Sequence, residues 1–313
     1  MLILKNALTL NLATSLKAKV EVFPFEKEGV EIHSKDYKTT KYFSAEDFSI
    51  QNLESGHFGN FSFLVRILFH LNLKSGVSIH LSSGSPPGAG LGGSSAMGVT
   101  FYKALSKYLG LETTHSEIVK IVGNIEAKSL DCGPTGYQDY YPALYGGVLA
   151  LIPEMNGVKV EQLFTKGLAD SLESHLTLIS SEESRFSGLN NWEVIKRFFD
   201  KDPEIREGLK EIADLSFKAY ESLRNGDYAS LYKFISLEGE QREKLFPQIV
   251  APSIKELFKK LKESLPHLGM KVCGAGGGGC FLLVHGPSDK DFIIDTVEKT
   301  KMKVLPLRVS SPL

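Results

Sequence analysis

"GSPPGAGLGGSSAMG", running from Gly84 to Gly98, sets five glycines and two prolines directly ahead of a serine pair and an amphipathic run. A plain connector needs far fewer glycines. A backbone that closes around a phosphate does need them, because without Cβ atoms its N–H groups can approach phosphate oxygens. After the loop, Met97, Phe101, Ala104, Leu105 and Tyr108 recur at helical spacing and Gly110 ends the run, which predicts a helix. Before it, "VSIHLSS" alternates Val77, Ile79 and Leu81 on one face, as a half-buried strand does. A helix starting near Ser94 adds unpaired N–H groups and a positive dipole end. Ser94 and Ser95 offer hydroxyls to an oxygen-seeking Mg2+. A flexible turn with a Ser N-cap is the other reading of these residues.

Two segments fit G-x-G-x-x-G: "GAGLGG" (Gly88 to Gly93) and "GAGGGG" (Gly274 to Gly279). A dinucleotide site also needs a second strand ending in an acid about 20 residues on. Glu112 has roughly that spacing but falls between two predicted helices, and the second cluster leads into a strand, "CFLLVHG". No Lys stands in the first loop, so it is not a Walker A loop.

The rest of the chain frames these clusters. Its 313 residues suffice for one large domain or two modest ones, and 42% hydrophobic with 23% charged residues is ordinary for a globular protein. A net charge of −1 favours neither nucleic acid nor an anionic membrane. Cys132, Cys273 and Cys280 show neither a disulfide framework nor a metal spacing, so reduced thiols in a cytoplasmic protein are expected. No run reaches the ~18 apolar residues of a membrane span. The start, "MLILKNALTLNLATSLKA", has the outline of a weak signal peptide, but its apolar part is interrupted by Lys5, Asn6 and Asn11 and it alternates like a strand, which is the expected reading.

Residues 7–33 read as strands, with Leu8, Leu10 and Leu12, Val20 and Val22, then Val30 and Ile32 alternating with polar positions. Capping boxes are expected at Thr114 with Glu117 and at Ser253 with Glu256. "GGVLALIP", "HLTLISS", "KVCG", "CFLLVHG" and "KVLPLRV" read as strands, and residues 190–265 as mostly helical. This order predicts an α+β protein, not a regular βα alternation.

Three charged residues stand out. Glu126 follows Val122 by four residues and Val119 by seven, near the apolar stripe of its helix. A carboxylate there needs a partner such as a metal ion, unless the side chain turns to solvent. Asp139, in "DCGPTGYQDYYPALYGGV", lies among Tyr137, Tyr140, Tyr141 and Tyr145. Such surroundings make its charge costly unless a cation is near, and it can take a proton from a substrate hydroxyl. Closing the turn is its alternative role. Arg185, in "SSEESRFSG", follows a strand and can hold a phosphate or carboxylate, or lie in solvent.

Together these pieces resemble the GHMP small-molecule kinases. "PPGAGLGGSSA" is similar to that family's phosphate motif, P-x-G-x-G-L-G-[ST]-S-S-A, and "KVCGAGGGGC" to its C-terminal glycine motif. "GYQDYYPALYGGV" is close to G-x-Q-D-Q-Y-A-A-x-x-G-G of the sugar-kinase branch, as in the D-glycero-D-manno-heptose 7-phosphate kinases, with Tyr140 replacing the second Gln. "SSEESRFSG" is similar to that branch's T-G-x-x-R-x-S segment, and "FPQIVAPSIKEL" fits its helical domain. The resemblance spans about residues 7 to 313. The branch's N-terminal motif, roughly P-x-R-I-S-x-x-G-G-G-T-D, has no counterpart before Asn6, so the N-terminal strand is expected to be missing.

The resemblance implies a two-lobed α+β fold. Residues 1–165 would form a ribosomal protein S5 domain 2-like, ATP-binding lobe, and residues 166–313 a ferredoxin-like lobe. Pro87, Gly88, Ala89, Gly90, Leu91, Gly92, Gly93, Ser94 and Ser95 would wrap the ATP phosphates. Ser95 (or Ser94) and Glu126 would hold Mg2+, and Asp139 would be the catalytic residue facing the acceptor hydroxyl. Tyr145, Arg185, Gly276 and Gly277 would join Asp139 on the substrate side, with Arg185 standing in for the cation of the absent motif. A cytoplasmic sugar or sugar-phosphate kinase, monomeric or homodimeric and binding neither nucleic acid nor membrane, is the leading expectation. A mevalonate-type kinase and a catalytically impaired nucleotide-binding homologue are the alternatives. A dinucleotide oxidoreductase would rest on the two glycine patterns alone.

Overall fold

The computed structural model describes residues 4–130, 136–183 and 191–313. Its strands are β1 (Thr9–Leu12), β2 (Ala18–Pro24), β3 (Val30–Ser34), β4 (Thr39–Phe43), β5 (Val77–Ser83), β6 (Val148–Glu154), β7 (Gly157–Gln162), β8 (Leu176–Ser180), β9 (Gly269–Val272), β10 (Cys280–Val284) and β11 (Lys303–Leu305). Its helices are α1 (Ile50–Glu54), α2 (Ser62–His70), α3 (Gly93–Tyr108), α4 (His115–Leu130), α5 (Tyr140–Tyr145), α6 (Lys166–His175), α7 (Asn191–Phe199), α8 (Pro203–Arg224), α9 (Tyr228–Leu245), α10 (Pro252–Ser264) and α11 (Lys290–Val297).

Two compact units result, each α+β. One gathers Leu16–Pro86 and Gly92–Tyr145; the other gathers Met1–Ser15, Pro87–Leu91 and Gly146–Leu313. Within the described residues, 4–15 and 146–165 lie in the same contact unit as those after 165. Strand pairing is the cause. β1 runs antiparallel to β6, from Thr9 opposite Leu151 to Leu12 opposite Val148, and Leu8, Ala150 and Tyr220 of α8 share one buried cluster.

In the unit built on Leu16–Pro86, the sheet order is β2-β5-β3-β4, with β3 parallel to β5 and the other pairs antiparallel. The pleat sends Val30 and Ile32 of β3 and Val77 and Ile79 of β5 into the core, while Glu31 and His33 pair on the opposite face at 2.6 Å. Val99, Phe101 and Leu105 of α3 and Ile118 and Val122 of α4 are fully buried. The capping box before α4 is present: Glu117 N–H donates to Thr114 Oγ1 at 3.2 Å, and Thr114 N–H donates to Glu117 Oε2 at 2.7 Å.

The other unit holds two antiparallel sheets, β1-β6-β7 and β11-β8-β10-β9. β8 is buried along its whole length, and its Ile179 packs with Phe281, Leu283, Ile205, Ile254 and Ile293 in the main core. The capping box expected at Ser253 and Glu256 is not formed. α10 begins at Pro252 after Ala251, without a side-chain cap. Proline has its φ preset and no N–H to satisfy, which suits the first helical position. Ser253 therefore falls inside the helix, and its buried hydroxyl has no hydrogen-bond partner. Among the described residues no helix is long and apolar enough to cross a membrane.

One buried histidine gives this unit a pH dependence. His285, just past β10, meets Thr177 Oγ1 with Nε2 at 2.8 Å and Gly286 O with Nδ1 at 2.7 Å. The neutral tautomer with the proton on Nδ1 satisfies both contacts. Burial, reinforced by nearby Lys290 and His175, holds its pKa below the ordinary histidine value despite the Gly286 contact. Below about pH 6.5 the unfolded chain then binds more protons than the folded one, so stability is complete above that pH and falls as pH drops. His115, lowered first by burial and then by Lys103, adds the same sign. Urea unfolding at pH 5.5 and 7.5 is expected to show lower stability at the acid value, and His285→Gln to reduce the difference. A difference unaltered by the substitution would rule His285 out as its source.

Candidate active site

The glycine-rich loop ends in an open helix start. Gly92 is the N-cap of α3, with φ of 69° and no side-chain cap. Ala96 N–H is bonded to Gly92 O at 2.8 Å, so the amides of Gly93, Ser94 and Ser95 lie ahead of that first helical bond. The Ser N-cap reading is therefore corrected: the left-handed backbone at Gly92 leaves the cap to a glycine, and both serines fall inside the first turn. That turn carries no acidic side chain. Unpaired amides and the helix dipole thus present positive potential to an anion. Ser94 is exposed; Ser95 is buried.

Ser95 faces Glu126. The carboxylate is only 5% exposed, on the side of α4 that also buries Val122. Ser95 Oγ donates to Glu126 Oε2 at 2.9 Å, and Tyr140 Oη donates to the same oxygen at 2.5 Å. The partner this carboxylate needs is thus supplied in part by two hydroxyl protons. A carboxylate has about four lone-pair sites, so two donors leave acceptor capacity. With its proton turned to Glu126, Ser95 Oγ keeps lone pairs to offer elsewhere. Adjacent oxygens around octahedral Mg2+ lie roughly 3 Å apart, so the spacing of the Ser95 and Glu126 oxygens, 2.9 Å, fits that hard cation. Among the described residues no group of three or more His, Cys, Asp or Glu is arranged to hold a metal.

Asp139 lies in the turn before α5 and is half-buried. A Cβ placed on Gly92 would lie 2.7 Å from Asp139 Cβ and 3.1 Å from its Oδ1. Gly92 therefore meets two demands at once: a left-handed φ and a close approach by Asp139. The tyrosines that flank Asp139 in sequence pack on one another and into the core. Tyr137 meets Tyr141 edge-on at 6.0 Å, and Tyr140 and Tyr141 are buried. Burial, then the neighbouring phenol, pushes the pKa values of Tyr137 and Tyr141 up, so both rings keep their protons. Tyr145 packs edge-on against His115 at 4.7 Å and beside Tyr141 at 6.0 Å.

In the other unit, Pro87–Leu91 meets the second glycine cluster. Gly88 and Gly90 have φ of 73° and 77°. Cys280 N–H donates to Ala89 O at 2.8 Å, and a Cβ on Gly279 would lie 2.8 Å from that carbonyl oxygen. Gly276 turns with φ of 75° against Ile249, whose carbonyl oxygen accepts from Gly277 N–H at 2.7 Å. Arg242 Nη2 donates to Gly274 O at 3.0 Å, a brace with no signal in the sequence. Arg185 lies outside the described residues. The sequence marks Tyr140 as a neighbour of Asp139 and as a departure from the sugar-branch pattern, and neither feature signals its bond to Glu126.

The chain matches the GHMP kinases N terminal domain over residues 61–147 and the GHMP kinases C terminal domain over residues 219–303. It is 29% identical over 224 residues to a D-glycero-alpha-D-manno-heptose 7-phosphate kinase of Campylobacter jejuni, covering 71% of this chain and 65% of that one. Identity to a mevalonate kinase of Saccharolobus solfataricus is 27% over 224 residues, covering 71% and 66%. These matches span just under two thirds of each relative's length. A crystal structure of a D-glycero-D-manno-heptose 1-phosphate kinase from Bacteriodes thetaiotaomicron superposes with a TM-score of 0.72 at 22% identity, over 97% of this chain and 88% of that one. The likeness shows a common fold.

Proposed function

Because this chain belongs to the GHMP kinase family, we propose that it transfers the γ-phosphate of ATP to a hydroxyl of a sugar or sugar phosphate, in a Mg2+-dependent reaction. A heptose 7-phosphate is the first substrate to test. The observation that carries the proposal is the Ser95–Glu126 pair behind an uncapped helix start, with Asp139 held against Gly92 in the same unit.

In this reading the amides at the start of α3, Gly93 to Ser95, receive the phosphate oxygens and fix the γ-phosphorus for in-line attack. Ser95 and Glu126 would hold Mg2+, which neutralises phosphate charge when bound. The acceptor oxygen forms a bond to phosphorus as the bond to the ADP oxygen breaks. Asp139 orients that hydroxyl and takes its proton or stabilises its departure. The chain makes no covalent intermediate, and its work is alignment and charge placement.

The sugar class is supported by "GYQDYYPALYGGV" and by similarity to a heptose 7-phosphate kinase. A mevalonate-type substrate is the second reading, favoured by similarity to mevalonate kinases. A screen with γ-labelled ATP over sugars, sugar phosphates and mevalonate decides between them. Mg2+-dependent label is expected in a sugar or sugar phosphate. Label in mevalonate alone would replace the sugar assignment. ATP binding with no transfer to any acceptor would favour the catalytically impaired homologue.

A further inference from the structure

We propose that Tyr140 is the positioning residue of the cation site, orienting the Glu126 carboxylate and tying it to the turn that carries Asp139. This rests on the reading of Ser95 and Glu126 as Mg2+ ligands. Tyr140 is 1% exposed, and its phenol approaches Glu126 Oε2 to 2.5 Å, at the short end for a hydroxyl donating to a carboxylate. Ser95 donates to the same oxygen at 2.9 Å. Two donors converging on one oxygen fix the plane of the carboxylate and direct its remaining lone pairs.

The chemical type of the donor matters. Burying a carboxylate this deeply is costly unless hydrogen bonds satisfy its oxygens. Lys or Arg would stabilise it but would also cancel the charge that draws a cation. A phenol stabilises the carboxylate and leaves its charge in place. The ring packs along α4: one turn before Glu126, a Cβ at Gly123 would make ordinary van der Waals contact, 3.6 Å from Tyr140 Oη and Cε2. Tyr140 is also bonded through the chain to Asp139, which lies against Gly92. One side chain thus couples the carboxylate of the cation site to the residue assigned to the acceptor hydroxyl.

Tyr140→Phe removes the donor and keeps the ring. Mn2+ binding to the complex with the non-hydrolysable analogue AMP-PNP, followed by electron paramagnetic resonance, is expected to weaken about 10–100-fold. AMP-PNP affinity in EDTA is expected to stay unchanged. Tyr102→Phe alters a buried tyrosine of the same unit and is expected to change neither quantity. Equal Mn2+ affinity in wild type and Tyr140→Phe would overturn the positioning role and leave the cation site standing. Equal weakening in Tyr102→Phe would make the effect a general loss of packing and overturn it too. Should wild type hold Mn2+ no better than free AMP-PNP does, the cation-site reading falls, and this inference with it.

Discussion

Asp139→Asn is expected to lower kcat by about 10²–10⁴-fold while ATP binding is retained. The substitution keeps the shape that packs against Gly92, so the turn before α5 and the N-cap of α3 should survive. What it removes is the negative oxygen that can accept the acceptor's proton or stabilise its loss. Steady-state kinetics with the substrate found in the screen, together with calorimetric titration of ATP, separates these effects. Loss of both turnover and ATP binding would assign Asp139 to the structure of the loop. Unchanged turnover would leave it as a turn residue with no part in the chemistry.

Gly92→Ala is expected to reduce kcat about 10²-fold, the usual result of displacing a reacting group by roughly 1 Å. A left-handed backbone costs a non-glycine residue about 1–2 kcal/mol. Here the new Cβ would also overlap the Asp139 side chain, at 2.7 Å from its Cβ. Gly110 separates the two effects. It has the same φ of 69°, lies beyond the far end of α3, and has open space where a Cβ would go. Gly110→Ala should therefore lose only the backbone contribution to stability and keep full activity. Urea unfolding and kinetics of the two variants test the difference. If both variants lose the same stability and neither loses turnover, the contact between Gly92 and Asp139 has no catalytic consequence.

Elements with a strong local signal were legible in the sequence. The spacing of Phe101, Leu105 and Tyr108 marks α3, and the alternation of Val77, Ile79 and Leu81 marks β5. Thr114 and Glu117 form the predicted capping box because both partners lie within one helical turn. The same pattern at Ser253 and Glu256 failed because Pro252 starts its helix one residue earlier. β4 and β7 carry weaker alternation, with many exposed positions, and they take their form from the strands beside them. The place of β1 is likewise a matter of pairing, since it becomes a strand of its sheet only along β6.

For the site, the division follows the range of the interactions. Sequence alone marked two glycine clusters where the backbone can approach a partner closely, placed Glu126 near the apolar stripe of its helix, and set Asp139 next to several tyrosines. Those properties depend on residue type and on neighbours within a turn or two. Tertiary structure alone decided which atoms meet: Ser95 and Tyr140 on a single Glu126 oxygen, Asp139 against Gly92, and Ala89 against Cys280. Hydrogen bonds and steric contacts act over a few ångströms, and only the folding of distant segments onto one another brings these partners within that range.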